Sequence, residues 1–99
     1  MNALFDEIQN RWRALFERLA AGDDAPPAQR LRLEGLMEAA VLTGAADVAE
    51  LRAAMARVHL EVFAETFAAR LGEDWEQAHP FPQIPAFAQC APVSPAGAD

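Results

Sequence analysis

Apolar side chains in residues 2–21 recur with helical spacing, and that recurrence constrains the fold more than any other feature of the chain. Leu4, Phe5, Ile8, Trp12, Leu15, Phe16 and Leu19 fall within about 120° of arc at 100° per residue. Asp6, Glu7, Arg13 and Glu17 lie outside that stripe, so helix one has a single face to bury. Gly22 ends it, and Asp23-Asp24-Ala25-Pro26-Pro27 carries a restart signal. Acidic groups suit a helix N-terminus, and a proline in the first turn gives up only an N–H that has no partner there.

The second predicted helix covers residues 27–43. Leu33, Leu36, Met37, Ala40 and Val41 form its principal face, while Leu31 and Leu42 lie nearly opposite, beside Gly35 and Ala39. A helix apolar on two sides is expected between two neighbours. Gly35 costs about 1 kcal/mol relative to alanine in a helix interior, which suggests the close approach of another backbone. Gly44 closes this helix.

The third predicted helix spans residues 47–71, opened by a capping-box pair, Asp47 and Glu50, and closed by Gly72. Val48, Leu51, Met55, Val58 and Val62 make one stripe, and Leu60, Phe63, Phe67 and Leu71 a second on an adjoining face. So broad an apolar surface needs more cover than two shorter helices in a small chain provide. A homodimer built around helix three is therefore expected. The expected fold class is all-α: a small three-helix domain over residues 1–72, helix one lying across a hairpin of helices two and three, followed by an extended Pro-rich tail over residues 73–99.

A polar line runs between the two stripes of helix three. Arg52, His59 and Thr66 repeat every seven residues, with Arg70 one turn beyond. Two guanidiniums flanking an imidazole would suit an anion or an acidic peptide. The plainer reading, which we prefer, is a polar seam paired with Glu34 or Glu38 of helix two, or with its mate across a dimer.

Beyond Gly72 the composition changes. Glu73 to Ala78 can form one more helical turn before Pro80 stops it. Phe81, Ile84, Phe87, Cys90 and Val93 then recur every third residue, the period of polyproline II, with prolines at 80, 82, 85 and 92 favouring that conformation. Such a ridge is expected to strap the chain's own helices, with a dimer mate or a foreign protein as alternative seats. Trp75, Phe81, Pro82, Ile84, Pro85 and Phe87 are the candidate partner-binding residues. Residues 94–99 are small or polar and are expected to fray.

Composition narrows the functional classes. Alanine supplies 23 of the 99 residues and favours helix. The net charge is −7, lysine is absent, and the eight arginines are dispersed, so no basic stripe offers counterion release to a nucleic acid. A single cysteine, Cys90, forms no internal disulfide; the N-terminal residues lack a basic, apolar leader, and no apolar run reaches membrane-spanning length, so a cytoplasmic location is expected. No GxSxG, phosphate loop, HExxH or CxxC occurs. Glu76 and His79 form one lone Glu-x-x-His, where a carboxylate-bridged bundle needs two plus further glutamates. No enzyme, metal or cofactor is therefore expected. The expected function is a small non-enzymatic protein that binds another protein through an apolar helix face or its tail. The alternative is a ligand- or anion-sensing domain using Arg52, His59 and Arg70.

Overall fold

The computed structural model describes residues 2–24 and 26–85. Five helices follow in order: α1 (Ala3–Ala20), α2 (Pro27–Leu42), α3 (Val48–Phe63), α4 (Phe67–Leu71) and α5 (Trp75–Ala78). The domain is all-α, and α1 is its hub. Its apolar stripe carries Ile8, Trp12, Leu15, Phe16 and Leu19, every one at most 2% exposed. That stripe packs on both α2 and α3. The expected arrangement, helix one packed across helices two and three, is observed, and α1 makes the main contacts to both. One continuous, wide apolar stripe serves two neighbours at once, which neither other helix can do.

Local chemistry sets the helix ends. The Asn2 side chain accepts a hydrogen bond from Phe5 N–H at 3.1 Å and caps α1. At the other end Asp23 N–H donates to Arg18 C=O and Gly22 N–H to Leu19 C=O, the paired bonds of a Schellman motif, with Gly22 at φ +91°. The end of α2 repeats the device: Ala45 N–H donates to Ala40 C=O and Gly44 N–H to Val41 C=O. Asp47 and Glu50 form the reciprocal capping box that opens α3.

The long helix expected over residues 47–71 is broken. α3 stops at Phe63, and Ala64 takes the left-handed conformation (φ 61°, ψ 25°) that ends a helix. Thr66 becomes the N-cap of α4, accepting from Ala69 N–H at 3.0 Å. The reversal brings Phe67 back onto the core, where it is 1% exposed and meets Phe16 edge-on at 6.1 Å. Folding back buries Phe67 and leaves Phe63 and Leu71 half-buried, while Leu60 of the same stripe stays 45% exposed.

The core does not end at residue 72. Trp75 (8% exposed) lies tilted against Phe67 with ring centroids 4.6 Å apart, and Ile84 (4% exposed) joins the same cluster. Between them Gln83 N–H donates to Pro80 C=O, closing a turn in which the Phe81–Pro82 peptide is cis. The chain here is therefore a turn, not the continuous polyproline II expected from its period.

Candidate functional site

Two groups of residues drew functional expectations, and the structure places them differently. In the first, Arg52, His59, Thr66 and Arg70 do not share one helix face, because the helix that would align them ends at Phe63. Arg52 reaches α5, donating to Glu76 Oε1 at 3.1 Å and to the Glu76 carbonyl. Thr66 is occupied as a cap. Arg70 pairs with Glu65, and its guanidinium carbon lies 5.0 Å from the centre of the Phe63 ring. The partners expected in helix two, Glu34 and Glu38, take no part. His59 and Arg70 do come together, at the α3–α4 turn, while Arg52 stands apart from them.

His59 is 2% exposed, stacked on Phe67 at 4.1 Å, tilted against Phe63 at 4.6 Å and edge-on to Phe16 at 5.4 Å. Its Nδ1–H donates to the Glu65 carbonyl at 2.9 Å, since a carbonyl only accepts. Burial pushes the imidazole below its ordinary value. The bond to Glu65 C=O works against that shift, Arg70 adds to it, and the Glu65 carboxylate opposes it. The ring is a neutral aromatic element that fastens the α3–α4 turn to α1.

The second group lies along α2. Ile84 N–H donates to Glu34 Oε2 at 2.9 Å, a buried bond between the tail and the middle of α2. Arg30 approaches the same oxygen at 3.3 Å. Pro85 is buried, Phe81 and Pro82 are half-buried, and Trp75 and Ile84 belong to the core. Phe87, with Cys90, Val93 and residues 94–99, lies outside the described residues. Five of the six candidate partner-binding residues are thus buried or half-buried in the chain's own packing, and Phe81 also lines one wall of a shallow surface groove with Glu38, Val41 and Leu42.

Sequence reasoning missed the role of Glu34, which it offered with Glu38 only as a partner for the polar line of helix three. Glu34 is 8% exposed and ties the tail down. Its position held the signal: at 100° per residue it lies about 20° from Val41, at the edge of the principal apolar face. The outer side of α2 is also corrected. Helix two was expected to be sandwiched, but Leu42 is 86% and Leu31 58% exposed. A methyl group built on Gly35 meets nothing within 4 Å, so no backbone among the described residues approaches there.

Elsewhere the polar side chains brace the bundle. Glu61 of α3 accepts from Arg13 of α1 and from Arg57, and the Arg13 bond holds its carboxyl below the usual range. Among the described residues no group of three or more His, Cys, Asp or Glu side chains could hold a metal ion. No helix among them is long and apolar enough to cross a membrane. Comparison with protein-family models, with curated proteins and with solved structures finds no match.

Proposed function

We propose that this chain is a small, non-enzymatic, protein-binding helical protein, an adaptor or regulator, whose contact surface is the outer side of α2. The observation that carries this reading is Leu42: it is 86% exposed and forms a groove with Val41, Phe81 and Glu38. A large aliphatic side chain left outside, rimmed by polar groups and next to a second apolar wall, is the pattern of an association surface. The expected contact through the tail narrows accordingly to the part of Phe81 that faces this groove. Arg52, His59 and Arg70 have their hydrogen bonds within the chain, and no observation favours an anion-sensing role for them.

Affinity capture from the native host's lysate, wild type against Leu42→Asp, tests this reading. A protein retained by the wild type and lost from the variant, with the melting curve unchanged, is the expected result. The same proteins on both chains would contradict it.

A further inference from the structure

Arg32 is exposed and makes no hydrogen bond or ion pair among the described residues. The other seven arginines each donate to a side chain: Arg11 to Glu7, Arg13 and Arg57 to Glu61, Arg18 to Gln29, Arg30 to Glu34, Arg52 to Glu76 and Arg70 to Glu65. In a chain of net charge −7, where acceptors outnumber cations, an arginine left over is a departure from its surroundings. It lines a cleft of about 200 Å³ between α1 and α2, together with Arg11, Ala14, Gln29 and Leu33. No carboxylate among the described residues lines this cleft, and it shares no residue with the Leu42 groove.

Helix geometry brings the cleft together. At 100° per residue Arg11 and Arg18 lie about 20° apart on α1, with Ala14 beside them. Gln29, Arg32 and Leu33 span about 100° on the flank of α2 that meets α1. Leu33 is 2% exposed and gives the cleft an apolar floor. Arg18 donates to Gln29 Oε1 at 3.2 Å, which occupies that oxygen and leaves the amide NH₂ as a donor. Arg11 donates its Nε–H to Glu7 at 2.7 Å and keeps both terminal NH₂ groups, while Arg32 keeps all five of its N–H donors.

We propose that this cleft binds a small organic phosphate monoester, its phosphate held between Arg11 and Arg32 and its apolar body set against Ala14 and Leu33. The two guanidiniums, one from each helix, bring two positive charges and two planar forks. A carboxylate has one charge and two oxygens, which a single fork satisfies. A phosphate monoester has about −1.5 to −2 charges near neutral pH and three terminal oxygens, so it engages both arginines at once. The Gln29 amide adds a neutral donor. The cleft is smaller than the roughly 300–1,000 Å³ of pockets for drug-sized ligands, so the organic body is a short chain or a single ring. The acidic remainder of the surface repels anions, and the arginines reverse that field only locally.

Phenyl phosphate is the probe, and ¹⁵N–¹H spectra of the full chain, with the arginine Nε–H signals included, follow its titration. Shifts are expected at the Gln29 and Leu33 amides and at Arg11 and Arg32, saturating with a Kd at or below about 1 mM. Inorganic phosphate and benzoate each lack one half of the probe and should bind about tenfold more weakly. Arg32→Ala should weaken phenyl phosphate about tenfold without altering the melting curve, because the side chain is exposed and unpaired. Arg32→Lys keeps the charge but not the fork, and should leave a loss of about threefold. Arg57→Ala removes the same charge from α3 and should leave binding unchanged.

No saturable shift up to about 10 mM overturns the proposal, as does binding indifferent to Arg32→Ala or lost equally with Arg57→Ala. Benzoate or inorganic phosphate binding as tightly as phenyl phosphate overturns the assignment of a phosphate monoester. A phosphoserine peptide binding more than about tenfold tighter than phenyl phosphate overturns the small-molecule assignment and gives the cleft to a modified protein.

Discussion

Glu34 joins the tail to the bundle, and its removal is the sharpest local test of how the chain closes its core. Its carboxylate accepts from the buried Ile84 N–H at 2.9 Å, and its side chain is 10% exposed. Hydrogen bonds to charged groups contribute about 1.5–3 kcal/mol, and a buried N–H left unpaired costs a similar amount. Release of the tail caps the loss, because Ile84 then gives up a burial worth about 1.5–3 kcal/mol. The ion pair with Arg30 adds little, since the arginine is a third exposed. Glu34→Ala should therefore cost about 2–3 kcal/mol. At about 4–8 °C per kcal/mol for a domain near this size, the melting temperature should fall by roughly 8–24 °C. Glu34→Gln keeps an acceptor and loses only the charge, so about half the loss should return. Thermal denaturation followed by circular dichroism gives the global figure, and exchange of the Ile84 amide gives the local one. A Glu34→Ala protein within about 0.5 kcal/mol of wild type, its Ile84 amide still protected, would refute the reasoning.

Five other substitutions follow from the same geometry. Gly35→Ala should stabilise the chain by about 1 kcal/mol in urea titrations, because the added methyl meets nothing within 4 Å. Ala64→Gly should also stabilise, by roughly 1 kcal/mol, since Ala64 holds a left-handed conformation that glycine adopts without penalty. Trp75→Ala should cost about 3 kcal/mol or more, while Leu42→Asp stays within about 0.5 kcal/mol, which separates a core residue of the tail from a surface residue of α2. His59 is held below its ordinary value of 6.5 when folded, so the unfolded chain binds more protons just below that pH. The stability His59 contributes is thus complete above 6.5 and declines as pH falls from 6.5 toward the folded value. The difference in melting temperature between wild type and His59→Phe should narrow across that window as the wild type loses its advantage.

Much of the fold is legible in residue order because the signals are local and redundant. For α1, the stripe from Leu4 to Leu19 and the glycine at 22 both state where the helix lies and where it stops. Asp47 and Glu50 likewise announce α3. The break at residues 64–66 is not legible in this way: an alanine takes the left-handed position where glycine is the usual marker, and Thr66 reads as one more polar residue until it caps α4. What decides the break is tertiary, the return of Phe67 to Phe16 and His59. That single reversal also dissolved the polar line of Arg52, His59, Thr66 and Arg70, because their alignment depended on one straight helix. In the tail, the period-three pattern singled out Phe81 and Ile84, both of which turn toward the bundle, yet the turn closed by Gln83 could not be read from proline spacing. Gly35 was expected to mark a close backbone approach, but no backbone among the described residues comes within 4 Å of a methyl group built there.

Which faces the chain covers for itself, and which it leaves open, is the foundation of the functional proposal. Residue-resolved hydrogen exchange of the full chain measures it directly. Protection is expected through α1 and α3, lost at Glu65 and present again at the Ile84 amide, whose bond to Glu34 is buried. Unbroken protection from Val48 through Leu71, with rapid exchange at Ile84, would mean one long helix and a tail that leaves the core, and would contradict the assignment of α2 as the open face.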